Sequence, residues 1–517
     1  MAFTTTVREV IDNDKTGLLT KHSSWERVLL IEVATILNGA PFDSAMFSTT
    51  EGHPLIRIRD VLTGTTSTYY RGTYDEAYVV RQGELLVGMD GDFNSAYWGA
   101  VPALLNQRVC KITPDENFYS KVFLGHVLPG YLAAINANTS AITVKHLSSK
   151  TIGEIELPLP PRAEQTRIVE KLEELLSDLD AGVAELKAAQ QKLVQYRQSL
   201  LKAAVEGTLT AEWRQHNPPG ETGAQLLHRI LAERLARWEA RQLTKFQAQG
   251  KTPPKDWQKK YPKPVSPDTT DLPQLPEGWA WASVDQLTVE QKYGSSSKTN
   301  EDPTGVPVLR MGNIQDGDLD FSNLKYLPLD HDEFPGLHLQ DGDLLFNRTN
   351  SPELVGKTAV YRSQITPCSF ASYLISVRFS GGYMPELASA FINSAYGKRW
   401  IKSVVVQQVG QANVNGSKLS ALAVPVPPFE EQQEIVSVLH TQTREIVDRL
   451  NSVDISLKQS AAQRQNILRA AFAGQLVPQD PNDEPANVLL ERIRTERAAQ
   501  VAPRRSRGRK VKEAPHA

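Results

Sequence analysis

The sequence lacks the features that mark disulfide-linked, zinc-binding or membrane proteins. Only two cysteines, Cys110 and Cys368, occur in 517 residues, and neither lies in a CxxC motif. This scarcity excludes a disulfide scaffold and a thiolate zinc site. No apolar run approaches the roughly 18 residues that suggest a membrane helix. The first residues, MAFTTTVREVIDNDK, lack the apolar stretch of a signal peptide. We therefore expect a cytoplasmic protein with no membrane partner.

The sequence also lacks an excess of positive charge. Its formal net charge is −2, so the composition gives no support to nucleic-acid binding, which usually requires surplus Lys and Arg. With 40% hydrophobic and 22% charged residues, the chain has the composition of a soluble globular protein, and its length predicts about three or four domains. A basic cluster in the tail, which we interpret as a solvated end, consists of Arg504, Arg505, Arg507, Arg509, Lys510 and Lys512.

Motifs for catalysis and cofactor binding are missing or incomplete. The tripeptide GKT at 356–358 resembles the end of a phosphate loop, but Ser351 stands where the first glycine is needed. The tripeptide NPP at 217–219 resembles the start of an amino-methyltransferase motif, but Gly220 replaces the aromatic residue that would stack on a flipped base. The histidines show no metal-ligand spacing. We predict no cofactor or metal in this chain, and a role in recognition or assembly.

The chain contains a long internal repeat. The segment LPLPPRAEQTRIVEKL at 157–172 recurs as VPVPPFEEQQEIVSVL at 424–439, an offset of 267 residues (424 minus 157). The same offset aligns LLKAAVEGTLT with ILRAAFAGQLV, and QLLHRILAERLARWEA from Gln225 is echoed by VLLERIRTERAAQ from Val488. Upstream, Trp25 pairs with Trp279, HPLIRIRDV with VPVLRMGNI, and GELLVG with GDLLFN. The chain therefore consists of two halves that are similar in sequence and in the order of their motifs.

A long helix is predicted after each proline-rich junction, because Pro ends a strand and is tolerated in the first turn of a helix. Apolar residues then recur every seven positions, which is typical of a coiled coil. A helix with such a seam must bury it, and the other copy in the same chain is the most economical partner. The predicted seam consists of Leu172, Leu179, Leu186, Leu193 and Leu200 in the first helix, and Leu439, Ile446, Val453 and Ile467 in the second.

These patterns predict an α+β protein. Two mixed α/β domains are separated by two long helices that pack as an intramolecular antiparallel coiled coil, and the whole is a pseudo-two-fold internal repeat. The expected boundaries are 1–160 for the first domain, 161–210 for the first helix, 211–275 for a helical segment and a semi-stiff proline-rich linker, 276–427 for the second domain, 428–475 for the second helix, and 476–517 for a C-terminal helix and the basic tail.

Four phrases carry a resemblance to a known family. They are PEGWAWASVDQL from Pro276, GDLLFNRTN from Gly342, VGQANVNGSKLSALAVPVPPFEEQQEIV from Val409, and ILRAAFAGQLVPQDPNDEPANVLLERI from Ile467. In these phrases the sequence resembles the specificity subunit (HsdS) of type I restriction-modification enzymes. The resemblance covers nearly the whole chain apart from about twenty initial residues and the basic tail. Its most specific elements, the PxPPxxEQ junction and the closing phrase, occur twice.

The resemblance implies a concrete function. Each domain would be a target recognition domain that reads one half of a bipartite, asymmetric target in double-stranded DNA, and the helices would fix the gap between the halves. The chain itself would be non-catalytic. Two methyltransferase (M) subunits using S-adenosylmethionine would methylate adenine, and motor-nuclease (R) subunits using ATP and magnesium would complete the restriction system.

Family position also implies candidate DNA-contacting residues. Arg can bind guanine through two hydrogen bonds, and Asn or Gln can do the same with adenine. The first copy departs from the family pattern, because GMDGDF replaces FNRTN and INANTSAITVKHLSS lacks the glycine that Gly410 supplies; an unsymmetrical target fits this difference. The candidates are Asn38, Arg57, Arg59, Met89 and Asp90 in the first domain, and Lys292, Ser295, Lys298, Asn300, Arg310, Asn313, Asn347, Arg348, Asn350, Gln411 and Asn413 in the second.

Two other functions remain open from the sequence. A free DNA-binding regulator built from the same domains should bind its site tightly without partners, whereas a specificity subunit with nearly neutral charge should need its methyltransferase subunits. A pure coiled-coil scaffold should ignore DNA sequence.

Overall fold

The computed structural model of the protein describes residues 6–139, 145–351, 354–408 and 411–501. The chain divides into two compact units: unit 1 comprises residues 1–186 and 454–517, and unit 2 comprises residues 187–453. Each unit contains one mixed α/β domain, called here the first or the second globule, together with parts of both long helices. The basic tail from Arg504 to Lys512 and Gly410 lie outside the described residues.

The first globule begins with a short capped helix and ends with the strand of the proline junction. Its helices are α1 (Val7–Asp12), α2 (Leu30–Val33), α3 (Lys121–Ala137) and α4 (Ser149–Gly153). Its strands are β1 (Glu26–Leu29), β2 (Ala34–Asn38), β3 (Phe47–Ser48), β4 (His53–Ile56), β5 (Tyr69–Tyr70), β6 (Val79–Val80), β7 (Leu85–Gly88), β8 (Ser95–Tyr97), β9 (Ala103–Leu105), β10 (Val109–Pro114) and β11 (Glu156–Leu159).

Three helices follow the first globule: α5 (Arg162–Glu206), α6 (Ala211–His216) and α7 (Gly223–Ala248). The second globule then contains the helices α8 (Val284–Leu287), α9 (Pro385–Asn393), α10 (Ala395–Val404) and α11 (Gly416–Ala421). Its strands are β12 (Ala280–Ser283), β13 (Thr288–Tyr293), β14 (Val306–Leu309), β15 (Ile314–Gln315), β16 (Asp318–Leu319), β17 (Lys325–Leu327), β18 (Leu344–Asn347), β19 (Thr349–Asn350), β20 (Thr358–Val360), β21 (Ser369–Phe370), β22 (Leu374–Phe379), β23 (Val406–Gln408), β24 (Gln411–Asn413) and β25 (Ala423–Val426). The chain closes with α12 (Phe429–Phe472) and α13 (Ala486–Val501).

The two globules have the same sheet plan. An antiparallel four-stranded sheet has the order β2-β10-β7-β8 in the first and β13-β22-β18-β20 in the second. A second sheet contains one parallel pair in each globule, β4 with β9 and β14 with β21. The first strand pairs antiparallel with the proline-containing last strand, so that Arg27 faces Pro158 and Trp281 faces Pro425. A two-stranded sheet tolerates these prolines because few ladder bonds are required of them.

The long helices pair antiparallel, as the sequence predicts. In unit 1 the start of α5 and the end of α12 share one core, in which Leu172 and Ile467 are buried and Arg464 forms an ion pair with Asp180. In unit 2 the end of α5 and the start of α12 share another, which contains Leu200 and Ile446. The predicted α+β fold with a duplicated domain and a helix pair is therefore confirmed.

The predicted seam is covered unevenly. Toward the middle of the helices the apolar side chains are less protected, and a groove of about 610 Å³ in unit 2 is lined by Leu193, Tyr196 and Val453 among others. A heptad pattern gives the apolar face of a helix, but the neighbours decide how much of that face is buried. Of the seam residues, Leu172, Leu200, Leu439, Ile446 and Ile467 are buried, and Leu179, Leu186, Leu193 and Val453 are half-buried.

The closing helix of each copy packs in the unit that contains the other globule. Helix α7 follows the first copy, but its Leu226 and Ile230 belong to the core of the second globule. Helix α13 follows the second copy, but its Leu489 and Ile493 belong to the core of the first. Each unit is therefore assembled from both copies of the repeat.

The proline-rich segment before the second globule packs against its surroundings. Trp257 stacks on Trp238 of α7 with ring centroids 5.5 Å apart, and Tyr261 meets the same ring edge-on at 5.4 Å. The Val265 N–H donates to Asp285 at 3.0 Å. Aromatic side chains spaced along the segment give it apolar contacts, so it is held on α7 rather than acting only as a spacer.

Candidate nucleic-acid interface

In the first globule, the repeated Glu-Gln pair ties the globule to the long helix. The Trp25 indole N–H donates to Glu164 Oε2 at 3.0 Å. Gln165 Oε1 accepts from the N–H of Ser120, the N-cap residue of α3, at 2.8 Å, and its amide group donates to the Phe118 and Pro160 carbonyls, both at 3.0 Å. Both acidic and amide side chains are fully buried. Buried polar groups are stable only when bonded in this way, so the pair fixes the junction.

The second globule repeats this arrangement. The Trp279 indole N–H donates to Glu431 Oε2 at 2.8 Å. Gln432 accepts from the N–H of Met384, the N-cap residue of α9, at 2.9 Å, and donates to the Pro427 carbonyl at 3.0 Å. The repeated sequence PxPPxxEQ is thus a joint in which Trp, Glu and Gln join the globule to its helix.

The two joints differ in the partner of the second carboxylate oxygen. Glu164 accepts from the amide of Gln479, and burial raises the pKa of its carboxyl above the usual value. Glu431 accepts from the hydroxyl of Thr210 at 2.7 Å and forms an ion pair with Arg214 at 2.7 Å. At this carboxylate oxygen, the first joint has a neutral hydrogen-bond donor, Gln479, whereas the second joint has a buried ion pair with Arg214.

In the second globule, loop segments converge at one end of the four-stranded sheet. The Arg348 N–H, just after β18, donates to the Tyr373 carbonyl at 3.0 Å, and the Arg348 carbonyl accepts from the Val414 N–H at 2.9 Å. The Ser372 N–H donates to the Ser295 carbonyl at 2.7 Å. The structure thus brings together Ser295, Asn347, Arg348 and Asn413 of the predicted set; we call this end of the globule the loop end.

The side chains at the loop end are presented differently. Asn347 and Ser295 are buried. The Arg348 guanidinium lies over the Tyr293 ring, 5.1 Å from its centroid, and the ring is half exposed. Strand β24 places Asn413 opposite Thr349. The side chains of Asn350 and Gln411 lie outside the part of the chain that the structure describes.

Other predicted residues of the second globule lie on neighbouring segments. Lys292 pairs with Glu290 at 2.9 Å, and Lys298 is exposed. Asn300 is exposed and forms a backbone bridge with Tyr326.

Arg310 and Asn313 lie in one turn of the second globule. Arg310 donates to the Asn323 carbonyl at 3.0 Å. Asn313 is buried, accepts from the Arg310 N–H at 2.9 Å and donates to the Asp320 carbonyl at 2.8 Å. The Asn313 side chain therefore closes the turn through these two hydrogen bonds.

The first globule has a different set of side chains at the corresponding end, which we call the loop end of the first globule. Met89, at the position of Arg348, is buried, and Asp90 pairs with His146 at 2.6 Å and with Arg108 at 3.1 Å. Asn38 is exposed and donates to Ser149 at 3.0 Å. Arg57 and Arg59 are exposed beside the turn that contains Asp60, toward which Arg59 makes a 3.8 Å ion pair.

The sequence reasoning missed several features of this region. His146 and Arg108 join Asp90 from distant positions, and only a three-dimensional fold could have grouped them. Gly39 and Gly294 were also missed, although each follows the strand that leads to the loop end. A Cβ at these positions would lie 2.1 Å from the Asn106 carbonyl oxygen or 2.3 Å from the Phe370 carbonyl oxygen. Only glycine allows the crossing segments to approach this closely.

The segment from Arg241 to Lys263 is strongly basic, which the net charge of the whole chain does not reveal. Seven basic residues and one acidic residue lie between Arg241 and Lys263, and all seven basic side chains are exposed. The local excess exceeds anything that the net charge of −2 suggests.

In the part of the chain that the structure describes, metal-ligating side chains do not cluster and both thiols are buried. Within residues 6–139, 145–351, 354–408 and 411–501 there is no group of three His, Cys, Asp or Glu that could hold a metal ion. Burial raises the pKa of the Cys110 and Cys368 thiols to about 12, which makes both side chains inert core residues. Among the same residues, no helix is long and apolar enough to cross a bilayer.

The fold is a duplication in which two sheet domains of the same plan are each joined to a long helix through a buried Trp-Glu-Gln joint. The family model "Type I restriction modification DNA specificity domain" matches residues 22–188 and 276–453. The chain belongs to this family of type I restriction-modification specificity subunits, as its motifs predict, and is a non-catalytic subunit.

Individual relatives agree with this assignment. The chain is 34% identical to the type I restriction enzyme EcoBI specificity subunit of Escherichia coli over 98% of this chain and 99% of the relative. It is 26% identical to the EcoKI specificity subunit of Escherichia coli strain K12, over 77% and 76% of the two chains. The fold also matches a solved structure from work on the structural basis of complex assembly and conformational transition of the type I R-M system, with a TM-score of 0.58. The two chains are 16% identical, and the match covers 88% of this chain and 99% of the other.

Proposed function

We propose that each globule reads one half of a bipartite, asymmetric target in double-stranded DNA. One observation carries the proposal: the two globules share a sheet plan and a joint, but the side chains at their loop ends differ. The second globule has Arg348 and Tyr293 there, and the first has Met89 and Asp90. Two readers with the same scaffold and different contact residues suit a target whose halves differ.

The paired helices would set the gap between the half-sites. Helix α5 has 45 residues and α12 has 44, which corresponds to about 66 Å each at roughly 1.5 Å per residue. Modules that bind one face of a duplex lie about 34 Å apart or at a multiple of that distance. Rigid helices would store this spacing without the entropy cost of ordering a flexible linker on binding.

The chain would also hold two methyltransferase subunits and the motor-nuclease subunits. Exposed apolar side chains on the helices of each unit support docking of partners: in unit 2, Val194 and Tyr196 are 53% and 49% exposed, and in unit 1, Ile455 is 55% exposed. Apolar side chains that remain exposed on a helix suit the surface of a partner. S-adenosylmethionine, ATP and magnesium would be bound by those partners, and their presence with DNA would place the complex in the cytoplasm.

The decisive experiment is methylation mapping. The chain is co-expressed with its methyltransferase subunit, and the host genome is sequenced by a method that detects N6-methyladenine. One split motif is the expected result. Tight sequence-specific binding by the chain alone would favour a free regulator, and a soluble complex without any methylated motif would favour a scaffold.

The role of the helices is tested separately with the double variant Leu186→Lys and Leu193→Lys. Both side chains are half-buried on the helix pair, so charge there should loosen the pair and abolish assembly or spacing discrimination while both globules stay folded. Target plasmids with the gap lengthened or shortened by one base pair measure that discrimination. An unchanged spacing preference would contradict the proposal.

A further inference from the structure

The backbone of Arg348 is fixed at the loop end by two different segments. Its N–H donates to the Tyr373 carbonyl at 3.0 Å, in the turn before β22, and its carbonyl accepts from the Val414 N–H at 2.9 Å, after β24. The residue also follows directly after β18, whose last residue Asn347 is fully buried. The side chain of Arg348 therefore starts from a well-defined point.

Within the described part of the chain, the guanidinium group of Arg348 has few acceptors. Its Nη1 donates to the Ser372 carbonyl at a long 3.3 Å, and its Nε is buried without an acceptor. Among the described residues it makes no ion pair. A guanidinium has five N–H donors, and leaving a buried donor unpaired is costly. Among the described residues, the Arg348 guanidinium thus has one long hydrogen bond and one buried donor without an acceptor.

Arg378 in the same sheet shows what a structural arginine looks like in this globule. Its Nε and Nη2 donate to the two carboxylate oxygens of Asp343 at 2.8 and 2.7 Å, and its Nη1 donates to Glu290 at 2.9 Å. All three nitrogens have charged acceptors, and the side chain is positioned by the protein alone. Among the described residues, Arg348 has no comparable set of charged acceptors.

Tyr293 forms a fixed platform beneath Arg348. Its ring is 46% exposed, and the guanidinium carbon lies 5.1 Å from the ring centroid. Its hydroxyl accepts from the Gly416 N–H at 2.8 Å. A Cβ on Gly416 would lie 2.8 Å from that hydroxyl and 2.4 Å from Gln291 Nε2, so the absence of a side chain at Gly416 leaves room for the contact. A ring held at both ends can orient a guanidinium stacked on it.

We infer that Arg348 contacts a guanine in the half-site of the second globule and that Tyr293 is the positioning residue for this contact. The inference rests on the proposed function and deepens it. Guanine presents two adjacent acceptors, O6 and N7, in the major groove, which match two N–H groups of one guanidinium. The first globule has Met89 at the corresponding position, and its half-site lacks this contact.

The test compares Arg348→Met with the unaltered chain in complex with its methyltransferase subunits. The substitution gives the second globule the residue that the first one carries. Binding is measured to duplexes carrying each of the four bases at every position of both half-sites. A two-bond arginine contact gives a discrimination of about 5- to 150-fold for guanine. The variant should lose it at one position, falling below about threefold, while preferences in the other half-site stay unchanged.

Tyr293 is tested with a matched pair of variants. Tyr293→Leu removes the ring and should lower discrimination at the same guanine by about tenfold. Tyr293→Phe keeps the ring face and loses only the bond to Gly416, so it should retain most of the discrimination. A merely structural role would lower thermal stability in both variants without changing which base is preferred.

The outcomes separate this inference from the proposed function. An unaltered complex that methylates no split motif would overturn both. A split motif whose base preferences survive Arg348→Met would overturn the inference alone. Equal weakening on every sequence would show that Arg348 contacts phosphate instead, and would overturn it as well.

Discussion

The two globules are alike at the joint and unlike at the loop end. At the joint, Trp25 with Glu164 and Trp279 with Glu431 make equivalent buried hydrogen bonds at 3.0 and 2.8 Å. At the loop end the position of Arg348 is taken by Met89. Residues that the duplication preserved hold the fold, and residues that differ between the copies lie where a ligand would be read.

The turn that precedes strands β7 and β18 also has features common to both globules. Glu84 of the first globule pairs with Lys111 at 3.0 Å, and Asp343 of the second pairs with Arg378 at 2.7 Å. The acidic residue follows the same turn glycine in both copies, Gly83 or Gly342, and both glycines have positive φ. The glycine turn and its acidic residue are common to both copies, whereas the basic partners come from different strand positions, because Lys111 corresponds in register to Ser376.

The largest expected effect tests whether the buried N-terminal parts of the two long helices are equivalent. Leu172→Ala and Leu439→Ala remove corresponding side chains that are 0% and 8% exposed, and each should destabilise its own unit by about 4 kcal/mol. Leu186→Ala, at a half-buried position, should cost about 1 kcal/mol. Urea unfolding with hydrogen exchange measured unit by unit gives the values. A gap above about 2 kcal/mol between the first two variants would break the equivalence.

A somewhat smaller effect should separate the two joints. Glu431→Gln leaves Arg214 without its charged partner in a largely buried site, and should cost about 3 kcal/mol. Glu164→Gln, whose partner there is the neutral Gln479, should cost about 1 kcal/mol. The unfolding free energies of the two variants, measured at pH 7, check this order. Equal losses would mean that the ion pair adds nothing to the second joint.

Substitution of Gly39 in the first globule and of Gly294 in the second should destabilise both globules to a similar extent. Gly39→Ala and Gly294→Ala introduce a methyl group within 2.1 and 2.3 Å of a backbone oxygen, and each should cost about 2 kcal/mol and displace the loop end. Gly312→Ala is the control, because no atom lies within 4 Å of its added Cβ. Thermal unfolding and the methylation motif are the readouts. Tolerance at either glycine would show that the loop end can shift.

The smallest effect is a pH dependence specific to the first joint. Burial raises the pKa of Glu164, so the folded state binds that proton more tightly than the unfolded state. This contribution to stability is complete below the unfolded pKa and is lost as pH rises through the folded pKa. Glu164→Gln should flatten the fall in unfolding free energy just above about pH 4.5. An unchanged slope would assign the dependence to other groups.

The sequence predicted the parts of this protein that depend on local pattern. The offset of 267 residues located both joints, and the heptads located both helices. The environment of individual side chains could not be predicted in the same way. Asn313 looks like an adenine-binding residue, but it is buried in a turn, and Leu186 shares a heptad with Leu172 but is only half-buried. Burial depends on neighbours distant in the chain, which periodicity does not encode.

The exchange of the closing helices has a consequence for how the chain could be divided. Unit 1 takes residues 454–517 from the second copy, and unit 2 takes residues 187–248 from the first. A break in the proline-rich segment would thus yield two fragments, neither of which contains a complete core. Each would supply the helix that the other lacks, and the pair would reassemble without the peptide bond between them, as two subunits of a swapped dimer do. The covalent link between the copies would then fix which two globules are combined.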